Sequence, residues 1–339
     1  MKKRILVYLL AVGTALISCN KDKISEILPT TDSENPFSTS SDTLMVQDST
    51  ESKKKLPSLG PQKIEGDFYS AIFFTKDNKD SLMHDLEAKY TKKERYVIWA
   101  LNRLDADNRW RADTLVIPKV IDSTLMAYCP FPRRLDILSD VEKMVVFSYP
   151  IQAYAVYTSG DLVKWGPTSM GKKSAKTKTG LMFTNWKKEL AISTVDKSWK
   201  LPYNFNIHNT LGIGWHQYDL PGYPASHSCL RLLMDDAKWL YKYADQWILT
   251  KGGASVRANG TPVIVFGEYG WGKMKPWKNL YKDPNYTNIS VEEMEKIIQP
   301  HLSKILEEQH RRQEVLKEIE AEKQTIDTVS STTPQHSAE

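Results

Sequence analysis

The chain has 339 residues, enough for two small domains joined by linkers. Its 46 Lys and Arg residues and 41 Asp and Glu residues give a net charge of +5, and the two signs are interspersed. No basic block with interleaved aromatic residues indicates a nucleic-acid partner. The absence of P-loop, HExxH and paired CxxC motifs likewise gives no indication of a nucleotide, a metal or any other cofactor.

The N-terminus predicts an export signal. Residues 2–4 are positively charged, and the apolar run at 5–17 is shorter than the roughly twenty residues that span a bilayer. The run ends in Leu16-Ile17-Ser18-Cys19, which resembles a bacterial lipobox. We therefore expect residues 1–18 to be a lipoprotein signal peptide and Cys19 to carry a lipid that anchors the chain to a membrane. The alternative is an ordinary signal peptide followed by a chance cysteine.

A polar linker and a small domain are expected next. Residues 19–60 are rich in Ser, Thr, Asp, Lys and Pro, which predicts a disordered linker. The candidates that follow are a strand at 68–74, a helix at 80–90, a second helix capped by Thr91 and a strand at 113–118. This βααβ order over residues 67–119, with Asn102-Arg103-Leu104 after the second helix, resembles a LysM peptidoglycan-binding module. A scaffold domain without glycan affinity is the alternative.

The remainder predicts a mostly β fold with helices, that is, an α+β class. Residues 119–140 are Pro-rich and predict an inter-domain connection. Strands are expected at 144–148, 153–158, 162–169, 181–186 and 263–266. A helix capped by Asp235 or Asp236 is expected from the apolar spacing of Ala237, Leu240, Ala244 and Trp247.

The C-terminal region predicts a long helix over residues 290–323. Ser290 and Glu293 form a candidate capping box, and an apolar stripe interrupted at Pro300 follows. Such a helix either binds a partner or lies on its own domain, and its mostly charged second half favours the latter. Residues 325–339 are expected to be disordered.

The segment 215–232 has the residue types of a nucleophilic site. His216 ends an apolar run, a Pro/Gly turn follows, and His227 lies two residues before Cys229. A cysteine nucleophile needs a base that takes its proton. On the residues alone, a Cys–His acyl-transfer site and a buried inert cysteine both stay open. A Cys129–Cys229 disulfide is a further possibility in an exported protein, although Cys129 better fits a small buried hydrophobe.

The same segment resembles the signature of the L,D-transpeptidase catalytic domain, the YkuD-like family. Ser226-His227-Ser228-Cys229-Leu230-Arg231 matches the family's Ser-His-Gly-Cys, apolar residue and Arg, with Ser228 in place of Gly. The turn at 219–225 matches a family variant whose catalytic His lies ten residues before the Ser, which is His216 here. Residues 168–171 and 176–180 resemble two conserved strand ends of the family. The likeness covers residues 142–268.

The resemblance implies acyl transfer on peptidoglycan tetrapeptide stems with release of the terminal D-alanine. Cys229 would be the nucleophile and His216 its base. An amine acceptor would make the enzyme an L,D-transpeptidase, and water would make it an L,D-carboxypeptidase. His208, in the Ile207–Thr210 stretch that resembles a family motif, is the alternative base.

Three further residues have implied roles. The backbone N–H groups of Ser228 and Cys229 would hold the oxyanion, His227 would support the loop, and Arg231 would bind a substrate carboxylate. The family Gly can serve for a positive φ, for close substrate approach or for both. Because His216, His227, Cys229 and Arg231 all occupy the positions that the motif requires, Ser228 is expected to have a negative φ and to take up only space.

The whole chain is thus expected to be a Bacteroidota-type lipoprotein of the cell envelope, anchored by its lipid on the outer membrane and facing the periplasm. Its partners would be peptidoglycan stem peptides and the membrane, and no oligomeric state is indicated. A catalytically inactive lipoprotein that binds peptidoglycan is the alternative.

Overall fold

The computed structural model describes residues 56–122, 124–193 and 195–331. The expected signal peptide, Cys19 and nearly all of the expected linker lie outside these ranges. Within them, no helix has the length and apolar character needed to cross a membrane.

The βααβ order of the first domain is confirmed. Its elements are β1 (Tyr69–Phe73), α1 (Lys79–Lys89), α2 (Lys92–Leu101) and β2 (Thr114–Pro118), with β1 antiparallel to β2. Thr91 caps α2 as expected: its Oγ1 accepts from the Glu94 N–H at 3.3 Å, while the Glu94 carboxylate accepts from the Thr91 N–H at 2.7 Å. The glycan affinity of this domain stays a prediction.

Residues 119–140 are more than the connection that we expected, because their apolar side chains are part of the main core. Phe131, Leu135 and Leu138 are fully buried beside the β-rich domain. Arg103 also joins the two parts of the fold, since its buried guanidinium donates to the Ile151 carbonyl at 2.9 Å and lies 5.1 Å from the Trp277 ring. The small domain and the β-rich domain therefore share one continuous interior.

Two sheets form the β-rich domain. The five-stranded sheet contains β3 (Met144–Ser148), β4 (Ala153–Thr158), β5 (Asp161–Pro167), β6 (Gly180–Phe183) and β13 (Pro262–Phe266), in the order β5-β4-β3-β13-β6. The four-stranded sheet contains β7 (Lys187–Ile192), β8 (Lys200–His208), β9 (Ile213–Gln217) and β10 (Leu230–Leu232), in the order β10-β9-β8-β7. A short hairpin of β11 (Ile248–Leu249) and β12 (Val256–Ala258) lies beside them. The α+β class is thus confirmed, and the apolar faces of both large sheets meet in one core that includes Phe147 and Trp215.

Helix α3 (Met234–Tyr243) begins and ends differently from the prediction. Leu233 is its N-cap and makes no side-chain cap, so Asp235 and Asp236 lie inside the first turn. Asp236 is buried and pairs with Lys164 at 2.8 Å instead of capping the helix. The helix stops before Ala244, whose extended backbone also leaves Trp247 outside it.

The C-terminal helix is divided into α4 (Val291–Ile298) and α5 (Leu302–Ser331) by a 3-10 turn that contains Pro300. Met294, Ile298 and Ile305 are buried in the core, and Arg312 donates to the carbonyls of Gln246 and Asn259 at 2.9 and 2.8 Å. The helix thus lies on its own domain. It extends past the expected end at 323, so the disorder that we expected from residue 325 is wrong for 325–331; residues 332–339 lie outside the described ranges.

Candidate active site

Strands β9 and β10 bring the predicted residues together on one face of the four-stranded sheet. The two strands are parallel, with His216 opposite Arg231, and Cys229 immediately precedes β10. Side chains alternate along a strand, so Trp215 and Leu230 enter the core while His216 and Arg231 face the other way. The sequence periodicity therefore puts base, cation and nucleophile on the same side.

These three side chains line a cavity of about 340 Å³. His227 and Ser228 lie on the same wall. The opposite wall comes from the β7–β8 hairpin and the β8–β9 turn, and includes Trp186, Ile192, Ser193, Val195, Trp199, Leu201, Asn209, Thr210 and Leu211. The cavity has the size of a small-molecule or peptide site. Trp186 and Trp199 line the cavity, whereas Trp165 and Trp215 are buried in the core.

The nucleophile candidate and the base candidate are both neutral at pH 7 in this arrangement. Burial raises the pKa of the Cys229 thiol, and the Gly214 N–H and the Arg231 charge oppose that rise. Burial, with a smaller contribution from the Arg231 charge, lowers the pKa of His216 to about 4, although the bond to Gln217 opposes the shift. The His216 Nδ1 lies 2.9 Å from the Gln217 carbonyl, which assigns the ring proton to Nδ1 and leaves Nε2 as an acceptor. His216 Nε2 is thus the ring nitrogen that can accept a proton.

His208, the alternative base, has a different environment. It lies at the end of β8, with Nε2 3.1 Å from the Lys178 ammonium and Nδ1 accepting from the Leu211 N–H at 3.3 Å. His208 is not among the described residues that line the Cys229 cavity. The geometry therefore favours His216.

Polar side chains hold the loop that carries the nucleophile. Ser226 Oγ donates to the Cys229 carbonyl at 2.6 Å, and Thr177 Oγ1 donates to the Ser228 carbonyl at 2.9 Å. Thr177 Oγ1 also accepts from the Gly171 N–H at 2.9 Å. A Cβ at Gly171 would lie 2.2 Å from the Ala175 carbonyl oxygen, so this close approach requires glycine. The two family-like segments at 168–171 and 176–180 therefore meet at this loop.

The backbone of Ser228 contradicts our expectation of a negative φ, because its φ is +90°. Its carbonyl is held by Thr177, and the neighbouring bond from Ser226 to the Cys229 carbonyl closes the turn on the other side. These bonds impose the conformation, so Ser228 keeps a backbone suited to glycine at a cost of roughly 1–3 kcal/mol.

The cations at the cavity mouth include one that the sequence did not single out. The His227 ring is exposed, with Nε2 2.7 Å from the Lys172 ammonium and its centroid 5.0 Å from that of Trp199. The side chain of His227 therefore faces the cavity mouth, and the loop bonds described above come from Ser226 and Thr177. Arg231 stacks 4.5 Å from the Tyr218 ring and donates to the Asp219 carbonyl at 3.3 Å. Arg231 supplies positive charge at the thiol, and Lys172 and Arg231 both act on His227.

Sequence reasoning also missed Gly214, Asn204 and Asn206, which face the same side of the sheet. Polar Asn204 and Asn206 alternate with apolar Tyr203, Phe205 and Ile207, a period-two signal that would have marked a strand with one polar face. No such signal exists for Lys172. Among the described residues, no cluster of three or more His, Cys, Asp and Glu side chains has a metal-binding arrangement.

One family model matches a segment of the β-rich domain. Residues 142–265 match the family model of YkuD, the L,D-transpeptidase catalytic domain. A comparison with curated proteins gave no match.

Solved structures with local similarity are L,D-transpeptidases by name. One from Stackebrandtia nassauensis is 26% identical, over 38% of this chain and 57% of that one, with a TM-score of 0.31. One from Mycobacterium smegmatis is 21% identical, over 37% and 59%, with a TM-score of 0.29. One from Xylanimonas cellulosilytica is 18% identical, over 61% and 98%, with a TM-score of 0.36. The chain spans less than two thirds of the length of the first two.

Proposed function

We propose that this chain, whose residues 142–265 match the family model of the L,D-transpeptidase catalytic domain, transfers acyl groups from peptidoglycan tetrapeptide stems through a thioester on Cys229. The observation that carries the proposal is the shared cavity of Cys229 and His216, with His216 Nε2 left as a proton acceptor. The family match supports an enzyme of the L,D-transpeptidase type, and the cysteine chemistry and the substrate are our inference.

The first half-reaction forms the thioester. Cys229 Sγ attacks the carbonyl carbon of the third stem residue while His216 Nε2 takes the thiol proton. The peptide bond to the terminal D-alanine then breaks, and the imidazolium returns the proton to the departing amine. Free D-alanine leaves, and the stem remains bound to Cys229 as a tripeptidyl thioester.

The loop and the nearby cations stabilise the charges of this reaction. Among the described residues, no protein acceptor takes a hydrogen bond from the backbone N–H groups of Ser228 and Cys229, so both are available to the tetrahedral oxyanion. Arg231 lies beside His216 across the strand pair, where its charge suits the carboxylate of the departing D-alanine. Lys172 adds a second cation at the mouth.

The second half-reaction resolves the thioester. An amine from a neighbouring stem attacks the thioester carbon, His216 accepts its proton, and the new peptide bond frees the thiol. Water in place of the amine gives a tripeptide stem, which would be the carboxypeptidase outcome.

The test uses purified tetrapeptide muropeptides and the full chain. We expect release of D-alanine with either cross-linked or tripeptide products, and no release from a Cys229→Ala control. Intact tetrapeptide after prolonged incubation, with a folded protein that still binds it, would instead identify an inactive peptidoglycan-binding protein.

We also propose that the chain is an envelope lipoprotein, held through lipidated Cys19 and facing the periplasm, with its βααβ domain bound to glycan. The lipobox-like sequence and the confirmed order of β1, α1, α2 and β2 support this proposal. Cys19→Ala should move the protein from the membrane to the soluble fraction, and unchanged pelleting after a carbonate wash would refute lipidation as the anchor. Sedimentation of the Cys229→Ala protein with purified sacculi tests the glycan contact, and a protein that stays in the supernatant would contradict it.

A further inference from the structure

Two asparagines in the Cys229 cavity have polar atoms without a hydrogen-bond partner in the protein. Asn204 and Asn206 are only 5% and 3% exposed, and both line the cavity. Two of their side-chain atoms, the donor Asn204 Nδ2 and the acceptor Asn206 Oδ1, are buried and have no hydrogen-bond partner within the described residues. An unpaired buried polar group is destabilising, and a ligand that pairs it removes that cost.

Their positions on β8 place them next to the catalytic pair. Asn206 is opposite Gly214 in the β8–β9 register, and the Gly214 N–H contacts the Cys229 thiol. Asn204, two residues earlier on the same face, is then opposite His216. A Cβ at Gly214 would lie 3.0 Å from Asn206 Cα and 2.6 Å from the Phe205 carbonyl oxygen, so glycine keeps this approach open.

The sheet order also places different side chains on the two sides of His216. Because β9 lies between β10 and β8, Arg231 is on one side of His216 and Asn204 is on the other. The cationic side suits a carboxylate, whereas the asparagine side is neutral and offers both donors and acceptors. A peptide that crosses His216 would thus place a free carboxylate towards β10 and amide groups towards β8.

We propose that Asn204 and Asn206 bind one main-chain amide of the acyl donor, on the acyl side of the bond that is cleaved. This inference rests on the proposed acyl transfer at Cys229. A carboxamide pair presents a donor and an acceptor in either orientation of the amide groups, which matches the N–H and C=O of a peptide unit. Binding that amide satisfies both asparagines and fixes the scissile carbonyl over the thiol.

The experiment combines side-chain and substrate changes. Asn204→Ala, Asn206→Ala and Asn206→Asp are assayed with the tetrapeptide stem and with two analogues, each having one acyl-side amide replaced by an ester that lacks the N–H. We expect each alanine variant to lower kcat/KM for the natural stem by roughly 10- to 100-fold. With the parent protein, we expect one ester analogue to have a kcat/KM lower than that of the natural stem by a similar factor. With Asn206→Ala, the same ester analogue should lower kcat/KM little further, because the two changes remove the same hydrogen bond.

Controls separate recognition from folding. Asn279→Ala removes an asparagine outside this cavity and should change kcat/KM less than twofold. Asn204→Ala and Asn206→Ala should keep the parent Tm and the parent rate of Cys229 alkylation by iodoacetamide, since neither side chain bonds to the protein through its buried atom. If the asparagines were only structural, the alanine variants would have a lower Tm, and the ester substitution would reduce kcat/KM by the same factor in every variant.

The outcomes also distinguish this inference from the proposed function. Alanine variants that keep kcat/KM within twofold overturn the amide site. If the parent protein releases no D-alanine, the acyl-transfer proposal fails, and tetrapeptide binding by calorimetry then decides the amide site alone. Weaker binding by both alanine variants than by the parent upholds the amide site, whereas equal binding, or no binding by the parent, overturns it.

Discussion

Cys129 and Cys229 are both free thiols in the described structure, yet their surroundings differ in every respect that matters for catalysis. Cys129 belongs to the residue 119–140 segment and lies in the core beside Phe131, to whose carbonyl it donates weakly at 3.9 Å. Cys229 opens into a cavity that it shares with His216 and Arg231. The disulfide that we considered between the two cysteines is absent from these residues, and Cys129 is the buried hydrophobe that we expected.

The contrast shows that a shifted pKa does not by itself mark a nucleophile. Burial raises the pKa of both thiols, that of Cys129 to about 12. A backbone hydrogen bond opposes the effect of burial at both thiols, from Phe131 at Cys129 and from Gly214 at Cys229, but of the two only Cys229 also has a nearby cation, Arg231, that favours its thiolate. What distinguishes the reactive thiol is a set of neighbours that stabilise negative charge as the proton leaves.

The largest expected effect comes from replacing Cys229, and a separate replacement of Cys129 is the comparison. Cys229→Ser should lower tetrapeptide turnover at least about a thousandfold, because one histidine does not ionise a hydroxyl at neutral pH. Cys129→Ala should keep turnover within twofold and lose about 1 kcal/mol of stability. D-Alanine release and urea unfolding measure the two effects; turnover by Cys229→Ser at a tenth of the parent rate or better would refute the nucleophile assignment.

The histidines extend the same comparison. His216→Ala should lower kcat roughly 10²–10⁴-fold through loss of the base, whereas His208→Ala, next to Lys178 and outside the cavity lining, should have a minor effect. Steady-state kinetics of both variants provides the measurement. A dead His208 variant with a working His216 variant would show that the base assignment is wrong.

The pH dependence of the parent protein should follow the lowered pKa of His216. A base with a pKa of about 4 stays neutral at pH 5, so kcat/KM should hold from pH 7 to 5, where an ordinary histidine would lose roughly thirtyfold.

Stability should depend on pH in the matching direction. Below pH 6.5 the unfolded chain protonates this histidine while the folded protein does not, so stability falls as the pH drops towards 4, by about 3 kcal/mol. Urea unfolding at pH 7 and 4.5 measures the change, and His216→Gln should remove it. An equal pH dependence in the variant would contradict the buried neutral imidazole.

The smallest effect is expected at Ser228. Ser228→Gly should raise the free energy of unfolding by about 1–3 kcal/mol, because the residue has a φ of +90°. Acylation should change less than tenfold, since Thr177 already holds the loop in this conformation. Ser228→Ala is the matched control, which removes the hydroxyl but keeps the Cβ and the strain. If Ser228→Gly raised the acylation rate a hundredfold or more, the natural serine would be shown to limit catalysis severely.

Local rules predicted more of this molecule than of its site. The Thr91 cap, the βααβ order and the strands at 144–148 and 153–158 follow from patterns within a few residues of each other. The β7–β8 hairpin, which forms one wall of the cavity, was not predicted, although the sequence shows polar and apolar residues alternating at 203–207. The φ of Ser228 depends on Thr177, fifty-one positions away, and no local pattern contains that contact.

Intact-mass analysis of the protein after brief exposure to a tetrapeptide stem tests the central claim most directly. We predict a mass gain equal to the stem without its terminal D-alanine, located on the peptide that contains Cys229, reversed by hydroxylamine and absent from Cys229→Ser. No adduct on a protein whose Cys229 still reacts with iodoacetamide, or an adduct on any other residue, would contradict acyl transfer through this thiol.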